Sequence, residues 1–140
     1  MNVFEHLKQE HDQAKQVMEQ LKAKPQKRDF EQLRKALEQH IGAEERVVYK
    51  ALDQYSELHT HVLESLEEHK VAKRLLGEIG RLEPKDEKWS AKFKVLKEAI
   101  EHHIEEEEGT IFPQAQQLMG NQQAEELDSK YEEAEKKLAA

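Results

Sequence analysis

Apolar residues spaced alternately three and four apart recur in four consecutive segments of this chain, and each stripe carries one histidine where a helix core would normally hold leucine. In two segments a glutamate follows one turn later: His40-Ile-Gly-Ala-Glu44 and His103-Ile-Glu-Glu-Glu107 repeat the pattern 63 residues apart. Such spacing predicts helices packed face to face. Ionisable groups inside that packing are costly unless a metal ion or comparable partner neutralises them.

The first helix is expected from Asn2, an N-cap with Glu5 three residues on, to about Ala23, before Lys24-Pro25. Its stripe is Phe4, Leu7, His11, Ala14, Met18 and Leu21. The second should start at Asp29 and reach about Gln54, with Phe30, Leu33, Leu37, His40, Glu44, Val47 or Val48, and Ala51 inward. The third, from about Ser56 to Ile79, turns Leu58, Val62, Ser65, His69, Ala72, Leu76 and Ile79 to one side. The fourth opens at Asp86, carries Trp89, Phe93, Leu96, Ile100, His103 and Glu107, and is expected to break at Gly109 and Pro113. A last segment, Asn121 to Leu138, repeats the spacing at Ala124, Leu127, Tyr131, Ala134 and Leu138 without a histidine. It reads as an extra helix packed on the bundle or as a homodimer face.

Glu10-His11 resembles Glu68-His69, and a His-x-x-x-Glu segment follows each, so the chain looks like two duplicated helical hairpins. The expected class is all-α, an up-down four-helix bundle over residues 1–115 with an additional C-terminal helix over 116–140.

The rest of the composition narrows function. A net charge of −8 argues against nucleic-acid and anionic-membrane binding, which need concentrated Lys and Arg. With no cysteine, imidazole and carboxylate are the strong metal ligands on offer. No apolar run reaches the roughly 18 residues of a spanning helix. The N-terminus has neither the basic start nor the apolar stretch of a signal peptide, which suggests a cytoplasmic protein.

Residues four apart on a helix lie about 5–6 Å from each other on one face, so His40 with Glu44, and His103 with Glu107, can each aim a nitrogen and a carboxylate at one point. His11, His40, His69 and His103 are separated by 29, 29 and 34 residues, which suits helices that return each ligand to the same height. Four imidazoles and two carboxylates exceed a closed zinc site and suit two metal ions, iron first, with zinc or manganese as substitutes. His6, His59, His61 and His102 fall beside the stripes and read as surface or rim residues. Glu108 is near enough to support or replace a ligand.

These segments, with His102-His103-Ile-Glu-Glu-Glu107-Glu108-Gly-Thr-Ile-Phe-Pro113, resemble the haemerythrin-like, or HHE cation-binding, family over approximately residues 3–115. The resemblance implies an oxygen-bridged di-iron centre with His11, His40, His69 and His103 as terminal ligands and Glu44 and Glu107 as bridges. It implies a small ligand: oxygen, nitric oxide or peroxide. Where the oxygen carriers have a further histidine, this chain has Ser65, which suggests more open or water-filled coordination and a sensor, scavenger or iron-handling role. A metal-dependent interaction module and an iron donor of the iron–sulfur-repair kind are the alternatives.

Overall fold

The computed structural model describes residues 1–140. Four long helices form the bundle: α1 (Val3–Ala23), α2 (Lys27–Ala43), α4 (His59–Gly80) and α5 (Glu87–Glu106). A short α3 (Tyr49–Leu52) ends the second arm, and α6 (Phe112–Ala139) prolongs the fourth. Helix α1 starts as the sequence implies, with the Asn2 side chain accepting from the Glu5 amide while Glu5 accepts from the Asn2 amide. Helix α2 differs: it begins at Lys27, two residues before Asp29, and its cap residue Gln26 makes no side-chain capping bond.

The stripes pack as their spacing requires. Phe4, Leu7, Met18 and Leu21 of α1 are buried, as are Trp89, Phe93, Leu96 and Ile100 of α5. At one end of the bundle Trp89 stacks on Phe93 with ring centroids 5.0 Å apart and meets Phe30 edge-on. Two apolar clusters result, one around Phe4, Leu52 and Phe112, the other around Met18, Leu76 and Trp89. The polar residues of the stripes lie between them.

Two departures from straight helices shape that polar layer. Directly after α2 the chain widens into a π-helical turn, Glu44–Val48, and directly after α5 into another, Glu107–Ile111. Each begins at the glutamate of a His-x-x-x-Glu segment. A π turn inserts one extra residue and advances the facing side chains by one position. Val48 is buried, one of the two valines expected inward; Tyr49 and Leu52 become buried as well, while Ala51, expected inward, is only partly covered.

The break expected at Gly109 and Pro113 does not occur. The second π turn carries the chain through Gly109, and Pro113 falls in the first turn of α6, where no amide donor is needed. The interruption comes instead at Gly120, whose φ of 78° and ψ of 171° suit glycine alone. Beyond it α6 folds against α1 and α2, with Ala124, Leu127, Tyr131 and Ala134 buried. The stripe that could have served a homodimer is thus spent within the chain. Gly42 allows close approach there: a Cβ at this position would lie 2.9 Å from Leu138 Cδ1.

Candidate metal centre

The structure brings together all six residues singled out by spacing. Glu44 and Glu107 are fully buried, and His11, His69 and His103 are buried around them, with His40 partly covered. His69 Nε2 lies 3.1 Å from Glu44 Oε1, and His40 Nε2 lies 3.6 Å from the same oxygen. His11 Nε2 and His103 Nε2 each stand 3.3 Å from Glu107 Oε1. Within this group Glu44, His69 and His103 offer ligand atoms all within 4.8 Å of one another.

The other nitrogen of each imidazole is held by a carboxylate. His11 Nδ1 donates to Glu108 at 2.8 Å, His40 Nδ1 to Glu10 at 2.8 Å, His69 Nδ1 to Glu45 at 2.9 Å, and His103 Nδ1 to Glu68 at 2.6 Å. In the neutral imidazole these bonds fix the tautomer, aim the Nε2 lone pair inward and raise its basicity as a ligand. Without a metal, burial opposes a charge on His103, but the charge of Glu107 and its hydrogen bond outweigh burial and His103 is protonated. The partners respect the duplication. Glu10 and Glu68 precede the α1 and α4 histidines and hold those of α2 and α5; Glu45 and Glu108 follow the inner glutamates and hold those of α4 and α1.

A metal fits what the centre leaves unpaired. His11 Nε2, Glu44 Oε2 and Glu107 Oε1 are buried polar atoms with no hydrogen-bond partner. Each such atom costs about 1–3 kcal/mol, and these three are nitrogen and oxygen donors of the kind that bind first-row metals. Burial, with the facing Glu107 charge adding to it, pushes the Glu44 carboxyl up to about 8. Burial acts the same way on Glu107, but the charge of His103 and its hydrogen bond outweigh it and hold that carboxyl well below the usual range. Without a metal Glu44 therefore keeps its proton while Glu107 stays ionised; a cation would remove the need for that proton.

Tyr49 is the residue that spacing did not place. Its hydroxyl lies 2.8 Å from Glu107 Oε2, 3.1 Å from Glu44 Oε1, and 3.2 and 3.3 Å from Nε2 of His69 and His103. Its ring stacks on His69. Ser65 is buried beside it, so the opening expected at Ser65 is taken by a phenol. Phe112 holds the corresponding place in the second half, five residues after Glu107 as Tyr49 is five after Glu44, and stacks on His11. The two halves of the centre are thereby chemically unequal. A signal existed in the equal five-residue offsets, but only the π turns make an offset of five point inward.

His6 is a partly covered rim residue, as its position suggests, but it is tied into the fold. It sits between α1 and α6, with Nδ1 2.7 Å from Asp128 Oδ1 and Nε2 3.3 Å from Glu10 Oε2. Tyr131 donates to Glu10 Oε1 at 2.6 Å, tying α6 to the carboxylate that orients His40. Burial opposes it, but hydrogen bonds from His40 and other neighbours hold Glu10 down to about 2, whereas burial and the adjacent Glu10 push Glu135 up to about 8. His59 pairs with Asp53 and His102 with Glu106, and both histidines are exposed; His102 also lies 4.0 Å from Glu68, the carboxylate that holds His103.

Comparison with known proteins agrees with this geometry. A protein of Nostoc sp. named DNA nickase is 27% identical over 143 residues, an alignment that covers 99% of this chain and 40% of that protein. The chain thus spans less than half of that relative's length. No solved structure gives a significant match. The family model described as the hemerythrin HHE cation binding domain matches residues 2–115, which take in α1 to α5, both π turns and every residue of the buried cluster. The chain belongs to the hemerythrin HHE cation-binding domain family.

Proposed function

We propose that His11, His40, Glu44, His69, His103 and Glu107 hold two iron ions and that the pair binds or reacts with oxygen, nitric oxide or peroxide. The observation that carries this reading is the double constraint on the imidazoles: every Nδ1 is tied to a carboxylate, and every Nε2 faces the same two buried glutamates. A structural network would satisfy its own atoms, and three of these are unsatisfied.

The bound metals would supply electrons and ligand affinity. The chain supplies the setting. Glu44 and Glu107, each approached by two imidazoles, would supply the carboxylate ligands that the two ions share. The apolar clusters above and below close that layer towards the two ends of the bundle. Tyr49 keeps its proton, since burial, then Glu107 and Glu44, push its phenol well above the usual value. It can therefore donate a hydrogen bond to an oxygen or nitrogen ligand arriving between the histidines. Zinc or manganese could use the same donors.

Purified protein expressed with iron should carry close to two iron ions per chain, and His40→Ala or Glu107→Ala should bring the ratio towards zero. Full loading in both variants would sink the assignment. Titration of the reduced, iron-loaded protein with nitric oxide, peroxide and oxygen, followed by near-ultraviolet and visible absorption, separates the three ligands.

The nickase relative favours a second reading, DNA strand scission, because the alignment runs nearly the whole length of this chain. The charge of −8 opposes it. Relaxation of supercoiled plasmid by iron-loaded wild type but not by His40→Ala would support scission; equal relaxation by both would remove it.

A further inference from the structure

A cavity of about 500 Å³ runs from the histidine layer along the seam between α1 and α2. All four metal-facing histidines line its inner end, and Gln20 and Asp29 line its far end. Gln20 lies nine positions beyond His11 on α1, which at 1.5 Å per residue makes the cavity roughly 14 Å long. A water molecule takes up about 30 Å³ of liquid, so a diatomic molecule or hydrogen peroxide would leave most of this space empty. Pockets of about 300–1,000 Å³ are the size that holds organic ligands.

The walls say what kind. Ala14, Val17, Leu33, Leu37, Ala72 and Ile100 give the passage an apolar lining, and four glutamines, Gln13, Gln20, Gln32 and Gln39, stand along it towards solvent. Ala14 belongs to the α1 core stripe by spacing, yet it is only half-buried, because its side faces this space and not a neighbouring helix. No lysine or arginine lines the cavity; besides the histidines its ionisable groups are Glu10, Asp29, Glu68 and Glu135, the last of which keeps its proton at neutral pH. Along the passage an anionic head group such as a fatty-acid carboxylate would meet Glu10, Asp29 and Glu68 before it reached the histidines. The walls therefore favour an uncharged occupant, with an apolar body and a polar end that reaches the histidines.

Among the ligand classes proposed for the centre, one has that shape and charge. We infer that the α1–α2 cavity binds uncharged organic hydroperoxides, with the apolar body along Ala14, Val17 and Leu37 and the hydroperoxide end at the histidine layer. This rests on the reading of the centre as a peroxide-reactive iron pair. Reduction of such a molecule breaks its O–O bond and yields an alcohol and water, consuming two electrons and two protons. Chemically reduced, iron-loaded protein can supply the electrons for a single turnover.

The binding step is tested with 2-phenyl-2-propanol, the unreactive alcohol corresponding to cumyl hydroperoxide, and with benzoate as an anion of similar bulk. Calorimetry on iron-loaded wild type should show saturable binding of the alcohol and clearly weaker binding of benzoate. Ala14→Phe, which fills the passage, should weaken alcohol binding about tenfold or more. Ala36→Leu, at an exposed position on the same seam, serves if the first variant folds poorly. In single-turnover assays Ala14→Phe should slow consumption of cumyl hydroperoxide about tenfold relative to hydrogen peroxide. Absent alcohol binding, equal binding by the filled variants, equal binding of benzoate, or an equal loss for both peroxides would each overturn the inference. Iron content separates the two levels: two ions per chain with no alcohol binding refutes the cavity alone, whereas iron-free protein that still binds the alcohol refutes the centre alone.

Discussion

Tyr49→Phe removes one oxygen atom from the middle of the buried layer and almost nothing else. The ring can keep its place against His69, and Phe112 shows that the corresponding position in the other half accepts phenylalanine. What is lost is an O–H donor 2.8 Å from Glu107 Oε2, with Glu44 Oε1 also in reach at 3.1 Å. The phenol has a single proton, so one strong bond to a carboxylate disappears, worth about 1.5–3 kcal/mol, and a buried oxygen is left short of a donor. Metal-free protein should therefore lose roughly 2–3 kcal/mol, read as a lower urea midpoint with an unchanged slope. Iron content should stay near that of wild type, because none of the six proposed ligands is touched. A change under about 0.5 kcal/mol in the metal-free protein would refute the assigned hydrogen bonding. Loss of iron along with stability would instead make the phenol a ligand in its own right.

Glu10→Gln should leave the bundle folded but lower iron affinity about 10- to 100-fold, since the bond that orients His40 is weakened; competition with a chelator measures it. Gly120→Ala forces a side chain into a backbone conformation reserved for glycine and should cost about 1–3 kcal/mol, seen in a denaturant midpoint. Glu135 gives a pH dependence: its carboxyl is raised from 4.5 to about 8, so the folded state holds the proton more tightly than the unfolded chain. Its contribution is complete below pH 4.5 and is lost as pH rises towards 8. Solvent access limits the effect to on the order of 1–2 kcal/mol. Glu135→Gln should accordingly make metal-free protein more stable than wild type at pH 9 but not at pH 5, by urea titration at each; a larger gain at pH 5 would contradict this.

Much of the centre was legible because a helix converts spacing into direction. Once His40 and Glu44, or His103 and Glu107, stand four apart on a stripe of core residues, both must face the neighbouring helices, whatever the details of packing. The near-equal separations of the four histidines then put them at one height. The same reasoning could not find Tyr49. Each π turn adds one residue to the helix, and straight 3.6-residue periodicity carried past Glu44 points to Ala51 instead of Tyr49 and Leu52. Nor could it pair Glu10 with His40 or Glu45 with His69, because those partners come from different helices and depend on how the bundle closes.

The C-terminal segment divides in the same way. Its stripe of Ala124, Leu127, Tyr131 and Ala134 showed that one face is covered, but a stripe carries no information about what covers it. The bend at Gly120 decided that, laying the segment on α1 and α2 and bringing Tyr131 to Glu10. By itself the sequence determined the helical class, the four-helix count and six inward-facing donors, since all of these follow from local periodicity and the cost of burying charge. Only the tertiary structure decided that a phenol stands between the donors, that each imidazole is held by a carboxylate from another helix, and that an organic-sized cavity reaches them. Those depend on distances between helices, which no repeat along one helix encodes.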